Sequence, residues 1–221
     1  MKKLFSICVV ALSMFTVLTA NAQKSKIFGG TVKFSVKFEG NTDPRSHVPR
    51  DIVYTILGNK TKMVNQQFIQ ILDGDAVTNT MLLDVPGYRV GSTITKEQIE
   101  EGHSSVKYTY TKGEDTKTIC GYVCTRYDIT LYNIEEDEEL KFFVYTTTEI
   151  GENNNINSVE YPGLTGYPLY KEIEIKGIKT ITEATEIKAT KVKSVDFLTP
   201  SDYKMMPSEE FFRLIFGGGE E

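Results

Sequence analysis

Thr31 to Phe38 alternates without a slip: Val32, Phe34, Val36 and Phe38 are apolar, and Lys33, Ser35 and Lys37 between them are polar. A period of two marks a strand with one dry face and one wet face. Asp51 to Leu57 alternates again, with Ile52, Tyr54 and Ile56 as its in-facing set. Asn41 to Pro49, carrying Asp43-Pro44 and Val48-Pro49, reads as the loop between the two strands. Gly58-Asn59 makes a turn and Thr61 to Val64 returns. Phe68 to Leu72 and Thr80 to Val85 form the next hairpin around Asp73-Gly74.

Pro86-Gly87 interrupts the pattern. Thr95 to Glu101 then reads as a helix with Thr95 as N-cap, Gly102 as its stop and Ile99 as its one apolar residue. Strands resume as Ser105 to Tyr110, a turn at Lys112-Gly113, Asp115 to Tyr132, and Glu138 to Ile150. Gly151 to Ser158 is a polar loop. Lys171 to Ile175, Thr180 to Ile187 and Thr190 to Val195 add strands, although the sequence from Thr182 to Lys191 also suits a helix. Ser208 to Phe216 closes as a short amphipathic helix with a Ser cap and acids in its first turn. Phe211, Phe212, Leu214, Ile215 and Phe216 are too many apolar residues for a free-standing helix, so it must dock on the domain or on a partner. Roughly ten strands without a heptad, repeat or linker predict one mainly β domain over residues 23–216, built as a barrel, half-barrel or sandwich. Residues 217–221 form a flexible tail.

The amino terminus sets the expected compartment. Lys2 and Lys3 precede an apolar run from Leu4 to Leu18, and Ala20-Asn21-Ala22 supplies a small-x-small cleavage pattern. Residues 1–22 therefore read as a signal peptide cut before Gln23. The run falls short of the ~20 residues that span a bilayer, so an integral membrane protein is not expected. The 199 residues after the cut carry 23 basic and 30 acidic side chains, a formal net charge of −7. Such a surface repels phosphate backbones, which argues against nucleic acid as a partner.

Chemistry is sparse. Cys120 and Cys124 survive processing and could form a disulfide, since an exported pair meets an oxidising environment. In a straight strand they lie about 13 Å apart, against a bridging limit of ~7 Å, so a bond needs a bend at Gly121. Two buried free thiols are the favoured reading. His47 and His103 fall in predicted loops away from any ligand-spaced acid or cysteine. No G-x-S-x-G elbow or phosphate-binding glycine pattern occurs. Glu135 to Glu139 (EEDEE) reads as a solvated turn, with a calcium site as the sharper alternative. No enzyme, metal site or cofactor is expected. Nine tyrosines from Tyr108 to Tyr170, Tyr161 and Tyr167 among them, serve either core packing or the lining of a cavity.

Three segments in order resemble exported bacterial domains of the DUF4412 type. Within Gly113 to Ile129, Lys117, Ile119, Gly121, Tyr122, Cys124 and Tyr127 match that pattern. Tyr161 to Leu169 (YPGLTGYPL) is similar to its glycine-centred turn, and Phe197, Pro200 and Tyr203 to its closing strand. Cys120 departs from it, where a small residue is usual. The resemblance implies a fold similar to the periplasmic lipoprotein carriers (LolA/LolB-like): an antiparallel sheet curled into an open half-barrel with short helices at its mouth. It also implies a Gram-negative envelope of the Bacteroidota kind. On that reading Val32, Phe34, Val36, Phe38, Ile52, Tyr54 and Ile56 line a cavity for a lipid or lipoprotein acyl chain. The same residues would equally make a filled core. The alternative is an interaction module for an envelope protein partner, with no small ligand.

Overall fold

A computed structural model describes residues 27–40, 50–151 and 154–216. The expectations for residues 1–22, for the loop 41–49 with His47, and for the tail 217–221 lie outside the described residues. The rest is mainly β. β1 (Gly29–Glu39), β2 (Asp51–Leu57), β3 (Lys60–Asn65), β4 (Phe68–Asp73), β5 (Thr78–Val85) and β6 (Tyr88–Ile94) follow one another as an antiparallel meander. Helix α1 (Lys96–Ser104) leads to β7 (Val106–Ile119), and β8 (Tyr122–Asn133), β9 (Glu138–Thr147), β10 (Tyr167–Ile175) and β11 (Ile178–Ala189) make a second meander. β11 pairs with β1, which joins the two into one sheet. The two-residue β12 (Lys204–Met205) adds a parallel edge on β6, and α2 (Ser208–Phe216) ends the described chain.

The connection through α1 requires the sheet to curl. β6 and β7 stand ten strand positions apart in the sheet order, about 48 Å if the sheet were flat. Only residues 95–105 join them, and the nine residues in α1 span about 13.5 Å. The two edges must therefore face each other, and the result is an open, unclosed half-barrel, as the resemblance implies. The alternating residues of β1 obey the curl: Val32, Phe34 and Val36 are buried on its concave side, with Ile56 and Ala184 beside them.

Helix α1 begins where the sequence places it. The Thr95 hydroxyl accepts from the Gln98 backbone N–H, and Gln98 Oε1 accepts from the Thr95 N–H at 3.0 Å, a reciprocal cap. It runs on to Ser104, past the expected stop at Gly102, and turns Ile99 onto Leu72 and Val159. His103 is consequently a half-buried residue of the last helical turn, not a solvated loop residue. Its Nε2 lies 3.1 Å from the Val159 carbonyl oxygen, and its ring meets Tyr108 edge-on. α2 spans Ser208–Phe216 as expected and docks Phe211, fully buried, against Met81 and Val90.

Several strand limits differ from expectation. β6 was not anticipated, because Pro86-Gly87 is the turn of a hairpin and not the end of the sheet. Lys112-Gly113 is no turn: β7 runs through it, and a register shift between Lys112 and Thr116 absorbs the irregularity. The turn lies instead at Cys120-Gly121, inside the segment read as one long strand. Both residues have positive φ (50° and 88°), the conformation of a two-residue hairpin, but Cys lacks the Asn or Asp that usually signals it. Residues 190–193 are not strand, and a 3-10 turn follows at Ser194–Phe197.

Candidate concave-face site

The long connection between β9 and β10 turns back over the concave face and brings Ile150, Ile156, Val159 and Leu164 into buried positions. Asn157 holds it there. Its side-chain amide donates to the carbonyl of Leu164 at 3.1 Å and to that of Gly166, while its backbone carbonyl accepts the N–H groups of Glu160 (3.1 Å) and Tyr161 (2.8 Å). At the other end of the segment, Asn155 Nδ2 donates to Asp75 Oδ1 at 3.1 Å. Gly74 lies against Asn155 so closely that a Cβ there would collide with the Asn155 carbonyl oxygen.

Between this segment and the sheet is a cavity of about 160 Å³. β1 and β2 contribute Phe34, Ile52 and Tyr54, and β3 and β4 contribute Thr61 and Leu72. The covering segment adds Ile156, Asn157, Glu160 and Tyr161. Tyr167, Pro168, Tyr170, Lys171 and Thr182 complete the wall from β10 and β11. Phe34 sets its ring edge-on to Tyr54 and Tyr167, with centroids 5.7 and 6.4 Å away.

Of the seven residues read as ligand-lining, three therefore border the cavity: Phe34, Ile52 and Tyr54. Val32 and Ile56 have no accessible surface and pack into the core cluster with Leu169 and Cys124. Val36 is buried and Phe38 half-buried, and neither borders the cavity. Cys120 and Cys124 are both free. Cys120 is exposed at its turn, unlike the buried thiol expected, and Cys124 is buried on β8. Burial raises the proton affinity of both thiols, that of Cys124 to about 11.

The polar residues of the cavity escaped the sequence reading. Glu160 lies in a connection where no periodicity marks which side chains face inward. Tyr161 and Tyr167 stood out as tyrosines but not as members of one site. Glu160 is exposed where it meets the open cavity, and desolvation by the protein beside it raises its pKa more than Lys171 lowers it. Burial, and then the charge of Glu160, push Tyr54 up to about 12. Tyr161 and Tyr167 move in the same direction for the same reasons. Their phenols stay neutral at ordinary pH. Among the described residues, no three His, Cys, Asp or Glu side chains converge as a metal site. No helix among them is long and apolar enough to cross a membrane.

No family model matches the chain, so its likeness to the DUF4412 pattern rests on the residues quoted above. No curated protein matches it either. Among solved structures, it is similar to the crystal structure of the lipoprotein LppX of Mycobacterium tuberculosis, at 11% identity and a TM-score of 0.35, over 74% of this chain and 88% of that one. It is also similar to a LolA superfamily protein from Nitrosomonas europaea, at 10% identity and a TM-score of 0.34, over 78% of this chain and 90% of that one.

Proposed function

We propose that this chain is an exported, non-catalytic binder or carrier of a lipid-like ligand, held on the concave face of the half-barrel. The observation that carries this reading is the cavity: Phe34, Ile52, Leu72 and Ile156 present apolar surface to space that the protein leaves unfilled. Burying such surface against a ligand yields about 25 cal/mol per Å² and needs no reactive group. At about 160 Å³ the cavity is smaller than the ~300–1,000 Å³ of sites for whole small ligands. A complete acyl chain enters only where the covering segment yields. The pattern of Lys2, Lys3, Leu4 to Leu18 and Ala20-Asn21-Ala22 supports export.

Native mass spectrometry of the protein purified from its natural host, followed by solvent extraction, tests the reading. A stoichiometric co-purifying lipid supports it and names the ligand class. A clean protein mass, unchanged after incubation with host lipid extract, overturns it. A second reading, an envelope interaction module, draws on α2. Phe211 docks that helix on the sheet, while Leu214 and Phe216 remain 41% and 77% exposed.

A further inference from the structure

The cavity contains two opposite charges that sense each other but do not close into an ion pair. Glu160 enters from the covering segment and Lys171 from β10. Among the described residues neither side chain makes an ion pair or a hydrogen bond. Elsewhere in the sheet opposite charges do pair: Lys117 with Glu183 at 2.7 Å, and Lys179 with Glu172 at 3.1 Å. Glu160 is exposed where it meets the open cavity and Lys171 is half-buried in its wall, so a ligand that gives each charge a partner gains charge-assisted hydrogen bonds on binding. Tyr54, Tyr161 and Tyr167 stand around the carboxylate closely enough to feel its charge, and their ring faces attract cations. The clamp of Asn157 fixes the turn that carries Glu160 and Tyr161. The acceptor is thus set in place before a ligand arrives.

Resting on the carrier reading and deepening it, we propose that the cavity takes the zwitterionic head of an amphiphile. The ammonium lies against Glu160 and the tyrosine rings, and the anionic group lies against Lys171. A simple fatty acid satisfies Lys171 alone and brings a second negative charge near Glu160. A simple alkylamine satisfies Glu160 alone and repels Lys171. Only a head carrying both signs meets both walls. The volume of about 160 Å³ suits a head group and the start of its chain better than a whole lipid.

Calorimetric titration of the full protein, below the micelle concentration, separates the possibilities. The ligands are lysophosphatidylethanolamine and lysophosphatidylglycerol of one acyl chain, with free phosphoethanolamine as a third. The ethanolamine lipid is expected to bind about tenfold more tightly than the glycerol lipid, the worth of one charge-assisted hydrogen bond. Glu160→Gln should erase that preference and Glu160→Asp should retain part of it, each with unchanged circular dichroism. Lys171→Met should weaken both lipids. Binding of free phosphoethanolamine with the same dependence on Glu160 supports the head-group chemistry and identifies a free solute as its source. Equal binding of the two lipids, or a preference that survives Glu160→Gln, overturns the head-group assignment and leaves the carrier reading intact. Binding of neither lipid and no solute overturns both.

Discussion

Two groups of aromatic side chains lie on opposite faces of the sheet, and they treat their charged neighbours differently. Phe142 and Val144 point inward from β9, so Phe143 and Tyr145 point outward; Phe143 stacks on Tyr170 and Tyr145 meets it edge-on, Tyr170 being the one member of this group that also borders the cavity. Every charge near this outer group has a partner. Lys117 lies 4.3 Å from the Tyr170 ring centre and bonds Glu183, and Arg126 lies 4.0 Å from that of Phe143 and bonds Asp128. The Tyr170 hydroxyl donates to Glu172 at 2.8 Å. On the inner face, Tyr54, Tyr161 and Tyr167 surround a carboxylate that nothing among the described residues bonds. The same residue type thus closes a surface in one place and leaves a site open in the other. On the proposed function, what distinguishes a structural aromatic cluster from a binding one is the state of the charges beside it.

That contrast depends on the covering segment being a fixed wall, and Asn157 is the point at which to break it. Asn157→Leu leaves the buried carbonyls of Leu164 and Gly166 without their donor, a loss of roughly 2–4 kcal/mol. For a chain of this size that lowers Tm by roughly 6–12 °C. A shift near zero would mean the segment is not clamped, and the inner cluster would have no defined geometry to compare. Gly74→Ala acts on the other end of the same wall. Its Cβ meets backbone and not a yielding side chain, so the segment must lift away at a cost of about 1–3 kcal/mol. Hydrogen exchange should then quicken at residues 154–159 while β7 to β9 stay protected. Uniform quickening would show that segment and sheet open together.

The outer cluster should respond weakly. Arg126→Met and Lys117→Met each remove a cation over a ring and a partly exposed ion pair, for about 0.5–1 kcal/mol apiece. Ligand affinity should stay within twofold of the original, because neither side chain borders the cavity. A larger change in affinity would erase the distinction between the two faces.

The alternation of β1 and β2 made the sheet legible, because burial on one side imposes a period of two that no other element mimics. Helix α1 was legible at its start, where Thr95 caps it, but not at its end beyond Gly102, and α2 was legible over its whole span. Gly113 and Cys120 misled in opposite ways. A glycine that looks like a turn is taken up as a bulge when the partner strand continues, and a turn without Asn or Asp gives no local signal. The cavity was half legible. Phe34, Ile52 and Tyr54 follow from strand parity, but parity cannot say which in-facing residues meet a void and which meet Leu169. Glu160 and Lys171 share one cavity only through the turn held by Asn157, a placement fixed by tertiary packing and not by spacing along the chain.

The smallest effect expected is the most discriminating, because its sign reverses. Burial raises the folded-state pKa of Glu160 above its unfolded value, with the charge of Lys171 opposing the rise. The folded protein therefore holds that proton more tightly than the unfolded chain does, and ionising Glu160 costs stability. The cost is complete above the folded pKa and fades as pH falls through it. Below the unfolded pKa it is gone. The phenols of Tyr54, Tyr161 and Tyr167, all raised, carry no charge in this range. Glu160→Gln should accordingly raise Tm of the ligand-free protein at neutral pH, and the gain should shrink toward acid pH. With the zwitterionic lipid bound the order should invert, since the native carboxylate then has its partner and the amide does not. A drop in Tm for the ligand-free variant at neutral pH would make Glu160 a structural residue, and the inner cluster would then be as closed as the outer one.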